Sequence, residues 1–200
     1  MGQYFQAVLE NKSGRTVSFN PHRYDNGMKL MEHSYIGNNY TGTVYETIRN
    51  FGPLRCAWVG DYSDSESLDK DGKWFLAKVF GDERKRKRVL RYFKKVWTKS
   101  VDGLIYDFQE EALLHKRPDY LVNLDRKEYI RVPALTDELC VHPLPILTCS
   151  CPGSGGNFRP HNDWEEEVFC SWCGDLVDVC DKKPTGEGWA EIEYLFEKRD

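Results

Sequence analysis

The residues of this chain best suited to chemistry are cysteines. Cys149-x-Cys151 is separated by 18 residues from Cys170-x-x-Cys173-Gly174. Two short thiolate pairs brought together by a fold bind zinc tetrahedrally, and a glycine just after the second pair lets backbone N–H groups turn toward the sulfurs. The first pair has one intervening residue where two or more are usual. The set Cys149, Cys151, Cys170 and Cys173 therefore reads as a structural zinc site, against the alternative of buried thiols without metal. His142, His161, Cys140 and Cys180 stand as reserve ligands. A catalytic zinc needs an open position and a general base, and no residue identifies either.

A second chemical feature is cationic. Arg84, Lys85, Arg86, Lys87, Arg88, Arg91, Lys94, Lys95 and Lys99 face only Asp82 and Glu83, so the segment carries +7 within a chain of net charge −4, leaving −11 elsewhere. Asp82 can cap a helix running to about Lys99, with Val89, Phe93, Val96 and Trp97 on one face. A cationic stripe beside Tyr92 or Trp97 suits phosphates and bases. The same stripe also suits an acidic protein partner, or a solvated face over an apolar stripe.

Other motifs are weaker. Glu32 and His33 beside Asp25 suggest an acid–base pair, or a local polar contact. Gly37 to Thr43 leads into a helix but lacks the lysine of a phosphate-binding loop. Asp69-Lys70-Asp71-Gly72 lacks the later bidentate acid that a calcium loop requires. Ser34 and Ser150 have no recognisable His–acid partners.

The elements that must position these residues form two related halves. Cys56-Ala57-Trp58-Val59-Gly60-Asp61 matches Cys170-Ser171-Trp172-Cys173-Gly174-Asp175 at an offset of 114. Leu30-Met31, Ser34 and Gly37 fall opposite Ile146-Leu147, Ser150 and Gly153 at 116, and Leu9-Glu10-x-Lys12 opposite Leu124-Asp125-x-Lys127 at 115. Such matches predict a duplicated unit of roughly 60 to 70 residues. Each unit opens with a hairpin: Tyr4–Leu9 and Thr16–Phe19 about Asn11–Gly14, then Tyr120–Leu124 and Tyr129–Val132 about Asp125–Glu128. A short apolar run follows, then a helix with Val44, Tyr45, Ile48 and Phe51 on one face, its counterpart being Asp163–Phe169. The Trp-x-Gly-Asp strand closes each unit, with Trp58 and Trp172 packing the half-cores. Ile192, Tyr194 and Phe196 alternate with acids as a late edge strand. The expected fold is α+β, with a first half over 1–80, a basic helix and connector over 81–117, and a second half with the Cys cluster over 118–200.

The stretch Met1 to Leu9, the run Asp25 to Ser34, Cys56 to Tyr62, the hairpin Tyr120 to Tyr129 and Val141-His142-Pro143-Leu144-Pro145 together resemble a family of small uncharacterised proteins of bacteria and their phages. The resemblance covers most of the chain outside the basic segment and carries no assigned catalytic residue. That family's pattern has a long Gly/Asn/Arg-rich loop after Pro-Leu-Pro, where this chain has Thr148-Cys149-Ser150-Cys151-Pro152-Gly153, so a metal site would be particular to this member. The resemblance implies a phage or mobile-element accessory protein, such as an anti-CRISPR-like inhibitor of a host defence system.

Composition narrows the classes. Two hundred residues with 40% hydrophobic and 30% charged content exclude global disorder. The N-terminus lacks an apolar signal region and no 18-residue apolar run occurs, which points to a reducing cytosol and away from membranes; the resemblance implies that the cytoplasm is that of a bacterial host. The expectation is a non-enzymatic binding protein contacting a host protein. A zinc-stabilised nucleic-acid binder using the basic helix is the first alternative, and a small enzyme with a pocket between the halves is the second.

Overall fold

The computed structural model describes residues 4–14, 16–60, 119–132, 141–150 and 168–192. The basic segment, Cys151, Cys140 and His161 lie outside the described residues, as does the tail beyond Ile192. Both predicted hairpins form. Strand β1 (Phe5–Glu10) runs antiparallel to β2 (Thr16–Ser18), with Leu9 opposite Val17. The turn between them closes through the Gly14 N–H on the Asn11 carbonyl at 2.9 Å, and Gly14 takes a φ of 76° that favours glycine. Strand β4 (Asp119–Asn123) pairs antiparallel with β5 (Glu128–Val132). The Asn123 side-chain oxygen accepts from the Asp125 and Arg126 N–H groups, each at 3.0 Å, and so folds the tip.

Each apolar run that follows a hairpin becomes a very short helix: α1 (Leu30–His33) and, second in this pair, the proline-started turn Pro143–Thr148. The longer helix α2 (Asn39–Phe51) starts where the Asn38 side chain accepts from Thr41 N–H at 3.0 Å, and ends at Gly52 with a φ of 78°. The helix Pro143–Thr148 is α3. Val44, Tyr45 and Ile48 are wholly buried on the inner face of α2. Phe51 continues that stripe by spacing but lies at the helix end, one residue before Gly52, and is 57% exposed.

Strand β3 (Leu54–Gly60) lies beside β1, and β6 (Leu176–Cys180) beside β4. With β7 (Ala190–Glu191) parallel to β5, the order is β2-β1-β3-β6-β4-β5-β7. Helices and a mixed seven-stranded sheet make this an α+β fold. In both halves the first hairpin strand is flanked by its hairpin partner and by a later strand. The match of Leu30-Met31 with Ile146-Leu147 follows that pattern, each pair lying in a short helix, but two others do not. Trp58 is in strand β3, whereas Trp172 lies in the turn before β6; Leu9 is buried in β1, whereas Leu124 is half-exposed beyond β4. Both tryptophans are nevertheless fully buried in one core, where Trp172 donates to Glu128 at 2.7 Å.

The two sets of strands meet along a narrow seam. Only Leu54↔Val177 and Arg55↔Leu176 register between β3 and β6. Beyond them the sheet forks, and other backbone enters the gap. Gly174 N–H donates to the Cys56 carbonyl at 2.8 Å, Ser150 N–H to the Trp58 carbonyl at 2.9 Å, and Gly60 N–H to Ser150 Oγ at 3.0 Å.

Candidate functional site

The cysteines gather in that fork. A six-residue helix cannot satisfy its own last carbonyls, so they seek other donors. Cys170 N–H donates to the Ile146 carbonyl at 3.1 Å and Trp172 N–H to that of Leu147 at 2.8 Å, which draws the 170–172 turn against the end of α3. Cys149 is the residue immediately after that helix. The outcome is contact between its sulfur and that of Cys170 at 2.8 Å, across 21 positions of sequence. Cys149 is fully buried, and its thiol also donates to the Ile146 carbonyl at 3.2 Å. Cys170 is half-buried, with a φ of 60° that is rare for a side-chain-bearing residue. Cys173 is buried three residues on, its N–H on the Cys170 carbonyl at 3.2 Å. One cysteine of each sequence pair is thus brought to the other. Among the described residues no group of three or more His, Cys, Asp or Glu side chains is placed to hold a metal ion, and Cys151 lies outside them.

The remaining thiols and histidines have other places. Cys56 is fully buried, its sulfur 3.8 Å from Thr148 Oγ1, and burial pushes its pKa up to about 12. Cys180 is half-buried at the end of β6; burial, then the neighbouring Asp178 and Asp181 charges, raise its pKa. His142 caps the start of α3 by accepting from Leu144 N–H at 3.1 Å and stands edge-on to Tyr45. That is the far end of the helix from Cys149, about 9 Å at 1.5 Å per residue.

The Glu32–His33 pair resolves into two local polar contacts. Glu32 accepts from Lys29 N–H at 2.8 Å, at the start of α1. His33 is fully buried, accepting from Trp58 Nε1 at 3.0 Å through Nδ1, with its Nε2 2.8 Å from the Gly27 carbonyl. The tautomer consistent with both bonds carries its proton on Nε2. Ser34 donates to the Leu30 carbonyl at 2.6 Å, and Ser150 holds the end of β3. His33, Ser34 and Ser150 are parts of the core, whereas Glu32 is exposed.

Sequence reasoning missed two polar centres. Tyr40 is wholly buried, its hydroxyl accepting from Ala7 N–H at 2.6 Å and donating to the Phe19 carbonyl at 3.0 Å. Arg49 reaches from α2 to buried Asp119 on β4 and to Asp181 at 3.1 Å. Neither partnership has a local signal, because Ala7, Phe19, Asp119 and Asp181 all lie far off in sequence.

Comparison with protein-family models finds no match, and searches of the curated proteins and of the solved structures likewise find none.

Proposed function

We propose that this chain is a non-enzymatic, intracellular binding protein, an inhibitor of a bacterial host protein in the manner of phage anti-defence factors. The observation that carries this reading is the condition of His33. It is the most obvious acid–base residue, yet it is wholly buried and both ring nitrogens are engaged by Trp58 and Gly27. A general base needs reach to a substrate proton. The matched hairpin-plus-strand order of the two halves supports their origin as a duplicated unit, with some of the residue correspondences since displaced.

A structural zinc in the second half belongs to the same proposal, with Cys149, Cys151, Cys170 and Cys173 as its ligands. The meeting of Cys149 and Cys170 supports it. Such a metal would fasten the segments filling the fork, without supplying chemistry. The basic segment, Arg84 to Lys95, supplies either the surface for an acidic protein or, in the second reading, a nucleic-acid contact.

Affinity purification from a bacterial lysate with nuclease treatment tests the partner. The expected result is one host protein in stoichiometric amount, retained after nuclease. Retention of RNA or DNA alone, with affinity falling steeply as salt rises, overturns the protein-inhibitor reading in favour of the second. Metal analysis of the same preparation, purified without added zinc, is expected to give one zinc per chain.

A further inference from the structure

We infer that Cys149 and Cys170 form an oxidisable dithiol, a site of reversible disulfide formation with a low-molecular-weight disulfide such as oxidised glutathione. This goes beyond the metal reading and does not depend on it. Their sulfurs lie 2.8 Å apart. A disulfide bond of ~2.05 Å requires the pair to close by less than ~1 Å, on the scale of a small side-chain rotation. Two Zn–S bonds of about 2.3 Å in a tetrahedron require it to open by a comparable amount. The pair therefore lies between two covalent outcomes, and each excludes the other.

Burial assigns the order of events. Cys170 is half-buried and Cys149 has no exposed surface, so an incoming disulfide meets Cys170 first. The Cys170 thiolate attacks one glutathione sulfur, the glutathione S–S bond breaks, and one glutathione leaves and takes up the Cys170 proton. Cys149 then gives up its proton and attacks the Cys170 sulfur from within contact distance. The second glutathione leaves as thiol, so two electrons and two protons have passed to the glutathione pair. The segments that fix the two sulfurs are themselves tied to the core, Cys149 by its bridge to Trp58 and Cys170 by its N–H on Ile146. Cys56 is as buried as Cys149, but its sulfur contacts Thr148 Oγ1 at 3.8 Å and not the more exposed Cys170.

The test uses reduced, chelator-treated full-length protein incubated with oxidised glutathione, then digested without reduction and mapped by mass. The expected product is a crosslinked Cys149–Cys170 peptide pair, lighter by two hydrogens and reversed by dithiothreitol. The Cys149→Ser variant is expected to stop one step earlier and keep a single glutathionyl group on Cys170. A crosslink that pairs either residue with Cys151 or Cys173 instead overturns the inference, as does failure of the folded wild-type chain to lose these two thiols. A parallel sample loaded with zinc reads the metal proposal by itself. Protection of the pair supports the metal, and an unchanged rate counts against it while leaving the crosslink result standing.

Discussion

His33 makes acid sensitivity a property of the core. Burial lowers its pKa from 6.5 to about 4, against the opposing pull of the Gly27 carbonyl. Above pH 6.5 neither the folded nor the unfolded chain holds this proton, so the residue contributes no slope there. Between about 6.5 and 4 the unfolded chain takes up a proton that the folded one refuses. Stability therefore falls as pH drops through that window, by up to roughly 3 kcal/mol from this group. Urea titrations at several pH values should show the loss, and His33→Gln should flatten that part of the curve. An unchanged slope in the variant would remove His33 as its source. The residue types were legible in the sequence, but the assignments were not. Glu32 and His33 are adjacent in sequence yet serve different backbone groups. Tyr40 gave no signal because its partners, Ala7 and Phe19, are separated from it by 33 and 21 positions.

Helix α2 shows what periodicity does and does not determine. Its spacing correctly nominated Val44, Tyr45 and Ile48, because a buried stripe must recur at each turn. The stripe could not tell that Gly52 ends the helix next to Phe51, at a place where the core no longer covers it. Ile48→Ala should accordingly cost about 2–5 kcal/mol through lost contacts and a residual cavity. Phe51→Ser should stay within about 0.5 kcal/mol. Thermal or chemical denaturation of the two variants measures the contrast, and equal losses would place Phe51 in the core after all. The hairpins were the most readable elements, since alternation and turn residues are local. The Trp-x-Gly-Asp repeat misled because Cys56–Gly60 forms a strand where β1 pairs along it, while the matching Cys170–Gly174 forms a turn where the carbonyls of α3 hold its backbone.

Across the whole molecule, polar contacts gather beside the short seam, where Arg55 crosses from β3 to Asp125 and Asp175 ties the start of β6 to the β4–β5 hairpin. Asp175 accepts from buried Asn123 and from Arg126, both at 2.8 Å, and Asp125 accepts from Arg55 at 2.7 Å and from Leu176 N–H at 3.0 Å. Asp175→Ala strands the Asn123 amide in the interior, which should cost about 1–3 kcal/mol. Arg126→Ala, at a more exposed ion pair, should cost under about 1 kcal/mol. Urea unfolding ranks the two, and a larger loss from Arg126 would contradict the buried-amide account. None of this seam was legible beforehand. The β3–β6 pairing joins residues more than a hundred positions apart, for which a single sequence carries no periodic trace.

That strand order also fixes a schedule for synthesis. β6 is the penultimate described strand to leave the ribosome, yet it occupies the centre of the sheet. Until it emerges, β2-β1-β3 and β4-β5 are separate ribbons, each with an open edge waiting for the same late strand. A nascent chain paused before Leu176 would therefore expose two edges that the finished protein covers with one and the same strand.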